Sequence, residues 1–472
     1  MIDKQNSYEH RNFVLLTIFI SSFLTAFSVY TTVISVRKIG TELNMDVVTL
    51  GWVSTIFLLA AAMFQIPFGK ISDLYGRKKV FLIGVVIFTI SSVLLAFTST
   101  SSTFIVFRFI QGLGAALIYA TGNAILTATF PTSQRGKVIG INVTGVYIGL
   151  TLSPLLGGIM TENFGWRSQF WFNIPFGVLI IFLVLLKFKG EWTSEKKEKF
   201  DYLGSIVYAL FLFFLIFALS LFPNIQAYIF IVISLIGAIF FILWEKKIKT
   251  PMVDFNLFKN NRYFTFSCLV SIFFYVSTIA LALLLSLFMQ YLKDMSPQEA
   301  GYILLIQPLI QAIFSPIAGK ISDKIESRRL VSVGILITLI GIAPLLFITS
   351  DFPVYLIAIS SGIIGLGIAF FSSPNTRAIM SSIPKGSLGI ASSIEGTMRT
   401  IGQILSFGIL TIVFAVIIGN VTITPMYYPQ FITSARLICS VFMGLTIVSL
   451  IFSILRGKRY SDRQVSLMEN LE

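Results

Sequence analysis

The sequence has 472 residues, of which 56% are hydrophobic and 12% are charged, and its formal net charge is +14. Soluble chains carry about 25% charged residues, so this composition excludes a soluble enzyme, a fibrous protein and a disordered chain. The positive residues are scattered in small groups between apolar runs. They form no single basic face, so nucleic acid is not expected as a partner.

Apolar runs of membrane-spanning length follow one another along the whole chain. A helix that crosses the hydrocarbon core needs roughly 20 mainly apolar residues, and fourteen runs meet that requirement. They cover approximately residues 13 to 36, 48 to 68, 80 to 98, 103 to 130, 138 to 160, 169 to 186, 202 to 222, 226 to 244, 263 to 291, 298 to 318, 330 to 349, 354 to 376, 389 to 419 and 434 to 455. The sequence therefore predicts an all-α polytopic membrane protein with fourteen transmembrane helices in a lipid bilayer.

The distribution of lysine and arginine predicts the orientation of these helices. With an even number of spans, both chain ends lie on one side of the membrane. If that side is the cytoplasm, cytoplasmic segments hold 28 of the 35 Lys and Arg residues and outer segments hold four. Cytoplasmic loops show such an excess of positive residues. We expect a multi-pass protein of the cell (plasma) membrane with cytoplasmic N- and C-termini.

A five-residue motif occurs twice at an offset of 250 residues. Gly69-Lys70-Ile71-Ser72-Asp73 recurs as Gly319-Lys320-Ile321-Ser322-Asp323, and each copy follows the second span of its half. Duplicated halves of this kind are typical of secondary transporters. The repeat predicts an N-terminal six-helix bundle (1–187), two linker transmembrane helices (188–252), a C-terminal six-helix bundle (253–456) and a cytoplasmic tail (457–472).

The repeated motif is also a candidate gate. Glycine permits a tight turn at a helix end, and the aspartate can pair with the basic residues that follow it, forming a charge-linked clasp at the inner surface. The predicted gating residues are Gly69, Asp73, Arg77, Gly319, Asp323 and Arg328. A solvated positive loop would explain the basic residues but not the repeated glycine and aspartate.

Several motifs resemble those of the major facilitator superfamily. The loop Gly69 to Lys79 is similar to that family's signature loop, and Arg108-Phe109-Ile110-Gln111-Gly112 is similar to its second motif. Span five, with Gly145, Gly149, Ser153-Pro154 and Gly157-Gly158, resembles the motif associated with antiporters. Further segments, among them Trp166-Arg167 and Phe172-Asn173-Ile174-Pro175, resemble the fourteen-span drug:proton antiporter branch. The resemblance covers essentially the whole chain.

The glycines of span five also have a physical interpretation. Small residues four apart allow close helix packing, and Pro154 removes a backbone donor and bends a helix. The residues concerned are Gly145, Gly149, Pro154, Gly157 and Gly158. They predict either a hinge or a static packing face.

Three charged residues lie within or near predicted spans. Arg108 is inside span four, where a charge requires a partner, water or a cavity, and the resemblance implies proton coupling or a polar network. Bonding of Arg108 to backbone carbonyls is the structural alternative. Glu395 and Arg399 are four residues apart and share one helix face. Glu395 is thus either a proton carrier or a member of a structural ion pair.

The first span departs from the resembled branch, which usually carries an aspartate there. Ser28 stands at that position, and no acid occurs between Glu9 and Glu42. This departure leaves proton coupling and a preference for cationic drugs in question. The remaining polar candidates for a substrate cavity, which could equally form interhelical hydrogen bonds, are Tyr30, Gln65, Asn123, Asn142, Tyr147, Gln290, Gln307, Gln311 and Asn375.

Sites for cofactors and metals are not expected. No Gly-Lys pair is followed by Ser or Thr as a nucleotide-binding loop requires, and His10 and the two cysteines have no spacing suited to a metal. The sequence predicts no enzyme activity. It predicts a transporter, functional as a monomer, that exports hydrophobic or amphiphilic compounds by proton-coupled antiport. A facilitator or symporter for a nutrient or metabolite is the alternative, and a membrane enzyme or channel is disfavoured.

Overall fold

A computed structural model describes residues 2–131, 134–188, 190–193, 200–248, 251–252, 255–259, 261–322, 324–383 and 388–457. Within these residues the chain is helical, and fourteen helical segments are long and apolar enough to cross a membrane. The prediction of an all-α protein with fourteen spans is confirmed.

Six spanning helices form the first half of the molecule. They are α1 (Ile2–Glu42), α2 (Val47–Tyr75), α3 (Arg77–Ala96), α4 (Ser101–Thr129), α5 (Arg135–Phe164) and α6 (Ser168–Lys187). The linker contributes α7 (Tyr202–Ser220) and α8 (Ile225–Glu245).

The two ends of the molecule differ in charge. The end at the α2–α3 connection carries Lys70, Arg77, Lys78 and Lys79, and we call it the basic end. We call the end at the α1–α2 connection the opposite end.

The second half begins with the short α9 (Asn256–Lys259) and contains two broken spans. Its further helices are α10 (Arg262–Thr278), α11 (Leu281–Leu292), α12 (Pro297–Leu304), α13 (Ile306–Ser322), α14 (Ser327–Ile342), α15 (Val354–Met380), α16 (Leu388–Ile417) and α17 (Tyr428–Leu455). Together α10 and α11 form the ninth span, and α12 and α13 form the tenth. At the first break, the amide of Ala280 donates to Ser406 Oγ at 3.0 Å, which satisfies a backbone group that lipid cannot.

Side-chain caps explain where several helices begin. Asp46 accepts the amide of Thr49 at 2.7 Å at the start of α2, and Thr100 accepts that of Thr103 at 3.3 Å at the start of α4. Ser296 and Glu299 form a reciprocal capping box at α12. Such caps satisfy amides that have no partner within the helix.

The halves share a glycine contact between corresponding helices. A Cβ on Gly84 of α3 would lie 3.0 Å from the carbonyl oxygen of Gly114 in α4. In the second half, a Cβ on Gly334 of α14 would lie 2.8 Å from the carbonyl oxygen of Gly367 in α15. Gly84 and Gly334 are separated by the same 250 residues as the repeated motif. The backbones of both helix pairs therefore approach closely because neither contact leaves room for a side chain.

The linker helices pack along one side of the molecule, where α2 and α16 meet. The Tyr208 hydroxyl of α7 donates to the carbonyl of Ala62 in α2 at 3.3 Å. Leu219 of α7 lies against Gly408 of α16. Helix α8 contacts α7 and exposes a broad apolar surface, with Ile229, Val232 and Ile236 more than half exposed. Such a surface suits contact with lipid.

The repeated glycines do not form the turns expected of them. Gly69 lies inside α2, which continues to Tyr75, and Gly319 lies inside α13. The turn after α2 is made by Gly76, whose φ of 114° suits glycine. The turn expected at Gly69 is therefore wrong, because the helix extends past the apolar run into the basic segment.

Candidate functional site

The two halves are joined by hydrogen bonds at the opposite end. Gln290 of α11 donates to the carbonyl of Ile34 in α1 at 2.9 Å, and Ser286 donates to that of Val33 at 3.1 Å. Arg37 donates to the carbonyl of Gln290 and pairs with Asp294 at 3.1 Å. This set of contacts closes the opposite end between α1 and α11.

A second contact near the opposite end involves the glycine face of α5. A Cβ on Gly158 would lie 2.7 Å from the carbonyl oxygen of Pro297, and one on Gly301 would lie 2.3 Å from that of Pro154. On another face of α5, Gly149 packs against the backbone of Phe23 in α1. Gly145 and Gly157 also approach α1. The face is closely packed in this conformation, and the hinge role stays a prediction.

At the basic end, the charges of the first motif pair within the first half. Asp73 Oδ1 accepts from Arg77 at 2.7 Å, and Arg77 also donates to the carbonyl of Ala124 in α4 at 3.1 Å. Asp323 lies outside the described residues. Arg328 is half-buried near Arg456. The clasp role of these residues stays a prediction.

A positively charged side chain lies between the halves, deep in the bundle. Arg399 is eleven residues into α16, roughly 16 Å along the helix. Its side chain is 48% exposed. It interacts with tyrosines of the first half, Tyr30 and Tyr119 among them. A polar group at this depth that stays accessible must face an open space between the halves, which we call the central opening.

Tyrosines from four helices surround Arg399 in the central opening. Tyr30 (α1), Tyr119 (α4) and Tyr147 (α5) come from the first half, and Tyr275 (α10) from the second. The hydroxyl of Tyr275 lies near the guanidinium of Arg399. Tyr119 lies near Thr25 of α1. The site thus combines one cation with several aromatic faces and hydroxyl groups.

Glu395 lies one helical turn before Arg399 on α16. Its Oε1 lies 3.9 Å from Arg399 Nη1, beyond hydrogen-bond distance, and its side chain is 10% exposed. Between these residues, Gly396 faces Gln65 of α2, whose Nε2 would lie 3.7 Å from a Cβ there. The predicted Glu395–Arg399 pair is therefore a loose contact, and Arg399 is the more accessible of the two.

Arg108 lies inside the first half, away from the central opening. It is fully buried, donates to Gln111 Oε1 at 2.7 Å and to the carbonyl of Val53 at 3.3 Å, and lies over the Phe57 ring at 4.7 Å. Gln111 in turn donates to Ser92 Oγ at 2.8 Å. The contacts match the polar-network alternative, and a part in proton coupling stays a prediction.

The other predicted cavity residues are divided between packing and accessible positions. Asn142 donates to the exposed Asn123 at 3.1 Å. Gln290 is fully buried in the contact of α11 with α1. Gln307 and Gln311 are half-buried on α13, where the backbone of Gln307 packs against Gly365. Of the nine candidates, Tyr30, Gln65 and Tyr147 are brought to the central opening.

Asn375 belongs to a buried cluster at the basic end of the second half. Its amide donates to Ser271 Oγ at 3.1 Å, and its Oδ1 accepts from Arg456 at 3.1 Å. Burial lowers the pKa of Arg456 to about 10, so this residue remains protonated at neutral pH. The cluster holds α10, α15 and the end of α17 together.

The residue at the expected acid position of span one does not face the central opening. Ser28 is buried against α6, where its hydroxyl accepts from Asn173 at 3.4 Å. Tyr119 and Tyr275, by contrast, face the opening but were not among the sequence candidates. A tyrosine in the middle of an otherwise apolar span was the available signal, because its hydroxyl requires a polar partner in hydrocarbon.

Comparison with known proteins gives consistent family matches. A family model described as the Major Facilitator Superfamily matches residues 18–407 and, in a second match, 265–468. The riboflavin transporter RibZ of Clostridioides difficile (strain 630) is 32% identical over 402 residues, which are 85% of this chain and 87% of that protein. Multidrug resistance protein 3 of Bacillus subtilis (strain 168) is 32% identical over 364 residues, which are 75% of this chain and 70% of that protein.

Solved structures share the fold at lower sequence identity. A bacterial homolog of the human lysosomal transporter Spinster, described as inward-facing and unoccupied, superposes with a TM-score of 0.68 at 16% identity, covering 96% of this chain and 99% of its own. The nucleoside transporter NupG gives a TM-score of 0.62 at 16% identity, with 94% and 100% covered.

Proposed function

We infer that this chain, which belongs to the Major Facilitator Superfamily and is therefore a secondary transporter, exports hydrophobic or amphiphilic compounds in exchange for protons by alternating access. The observation that carries this proposal is the central opening, because Arg399 and its tyrosines come from both halves at mid-depth. A ligand held there would contact both halves, so movement of the halves about it would carry it across the membrane.

The conformation in hand fits one state of such a cycle. The hydrogen bonds between Arg37 and Gln290 and between Gln290 and Ile34 close the opposite end. Asp73 is bonded to its own neighbour Arg77 at the basic end. With the basic end in the cytoplasm, as the positive-inside rule favours, this is the inward-facing state of a plasma-membrane protein. The clasp at Asp73 and Asp323 would then form when the inner side closes.

Glu395 is the proposed carrier of the proton. It lies beside the central opening and is only loosely paired with Arg399, at 3.9 Å. The charge of Glu395 and the binding of a substrate at Arg399 would therefore be linked.

Purified protein in liposomes with an imposed pH gradient and a pH-sensitive interior dye tests this proposal. We expect proton movement that depends on added amphiphilic compounds and that is lost in Glu395→Gln. Glu162→Gln is the matched control, because Glu162 pairs with Lys38 at the opposite end. Substrate transport by the wild-type protein without proton movement would refute antiport.

A second function is favoured by one comparison. RibZ, which is named a riboflavin transporter, matches over 85% of this chain at 32% identity. Uptake of an aromatic metabolite as a facilitator or symporter would use the same central opening. Accumulation of labelled riboflavin in cells that express the protein would support uptake, whereas exclusion of amphiphilic compounds from them would support export.

A further inference from the structure

We propose that Arg399 and the tyrosines around it form a binding site for planar aromatic compounds that present a carbonyl or anionic oxygen, so that neutral and anionic aromatic ligands bind more tightly than cationic ones. This inference rests on the proposed function and assigns it a substrate class.

Among the described residues, the charge of Arg399 is paired only loosely. Glu395 Oε1 is 3.9 Å from Arg399 Nη1, and the Arg399 side chain is 48% exposed against 10% for that of Glu395. The more accessible member of the pair is thus Arg399. A guanidinium has five donors in a planar fork and cannot accept a hydrogen bond, so an approaching ligand must supply acceptor atoms.

The tyrosines supply the remaining recognition. Tyr30, Tyr119 and Tyr147 approach from the first half and Tyr275 from the second, so the site has aromatic groups on both sides. Aromatic rings stack on planar ligands, and each hydroxyl can donate to an acceptor. A guanidinium also stacks on aromatic systems better than an ammonium does. Sugars and aliphatic amines lack the planar surface that would use these groups.

The same arrangement disfavours cations. Acids that could attract a cation are lacking on α1 over residues 10 to 41, a stretch that contains Tyr30. The Gln65 side chain, which faces Gly396, is neutral. Glu395 is mostly covered and already faces Arg399. A cationic ligand would therefore meet the exposed charge of Arg399, with no compensating accessible carboxylate among the residues that the structure describes, which is an electrostatic penalty.

Equilibrium binding to the purified full-length protein in detergent micelles, without any pH gradient, tests this site. The probes are riboflavin (neutral), fluorescein (anionic) and ethidium (cationic), all planar and fluorescent. We expect fluorescein and riboflavin to bind more tightly than ethidium. Arg399→Gln should weaken binding of fluorescein about tenfold or more, because a hydrogen bond to a charged group is lost, and should leave ethidium binding unchanged or tighter.

Two further variants make the result specific. Arg399→Lys keeps the charge but loses the planar fork. It should therefore retain fluorescein binding better than Arg399→Gln does. Its loss of riboflavin binding should be similar to that of Arg399→Gln. Arg436→Gln is the control, because Arg436 donates to the carbonyl of Ile348 at 2.7 Å, within the second half. It should bind all three probes like the wild-type protein.

The outcomes separate this inference from the proposed function. The inference would be overturned if ethidium bound more tightly than fluorescein. It would also be overturned if folded Arg399→Gln bound fluorescein as tightly as the wild-type protein does. Proton-coupled export of ethidium alone in liposomes would keep antiport and still refute the site. Selective binding of fluorescein and riboflavin without proton movement would support the site and refute antiport.

Discussion

At the residue scale, two arginines within the spans have different environments. Arg108 is fully buried among α2, α3 and α4 and is bonded to Gln111 and Val53. Arg399 is half exposed between the halves. The sequence predicted that Arg108 requires a partner, water or a cavity in lipid and that Arg399 shares a helix face with Glu395. It could not predict which one faces the central opening, because that depends on the rotation of each helix in its packing.

The Arg108 network leads to a stability prediction. Gln111→Leu keeps a similar side-chain size but removes the oxygen that accepts from Arg108 at 2.7 Å. A buried donor on a charged group then loses its partner, so we expect the free energy of unfolding to fall by about 2–3 kcal/mol. The measurement is thermal or chemical unfolding in detergent. Gln134→Leu is the control, since Gln134 is exposed at the start of α5, and equal stability of both variants would contradict the prediction.

At the element scale, the number of spans was predictable and their ends and breaks were not. The apolar runs predict fourteen spans because lipid demands that length. The predicted second span stops near residue 68, whereas α2 continues to Tyr75, because a helix can extend into water where basic side chains are hydrated. The break between α10 and α11 was also missed. It depends on Ser406 of α16, which is distant in sequence and accepts the amide of Ala280.

The repeated glycine contact gives a prediction about helix packing. Gly84→Ala and Gly334→Ala would each place a Cβ within 3.0 Å of the neighbouring helix. We expect each to lower the free energy of unfolding by about 1–3 kcal/mol, because an overpacked contact forces the helices apart. Gly140→Ala is the control, since its Cβ would meet nothing within 4 Å, and it should be neutral or stabilising. The same unfolding measurement applies, and a stabilising Gly334→Ala would show that α14 and α15 can separate at no cost.

At the scale of the whole molecule, the contacts of the opposite end determine which side is open. Arg37 bonds the carbonyl of Gln290, pairs with Asp294 and lies 5.0 Å from the centre of the Tyr291 ring. The pair with Asp294 is exposed, with 89% of that side chain accessible, so it contributes about 0–1 kcal/mol. The bond to the Gln290 carbonyl and the ring contact are less accessible to solvent. Arg37 should therefore stabilise closure mainly through α11.

Removing Arg37 should shift the population toward the state that is open at the opposite end. A cysteine introduced at Ser286, now buried against Val33, reports that opening by its labelling rate from the opposite side, and Cys268 and Cys439 are themselves buried. With Arg37→Ala we expect labelling to increase about five- to thirtyfold, since a loss of 1–2 kcal/mol changes the ratio of two states by that factor. Asp294→Asn removes only the exposed ion pair and should change the rate less than about twofold. If labelling rises equally in both variants, the ion pair closes this end. If labelling rises in neither variant, the remaining contacts hold the two halves together without Arg37. One such contact is the hydrogen bond from the amide of Val47 to the carbonyl of Val421, at 3.0 Å.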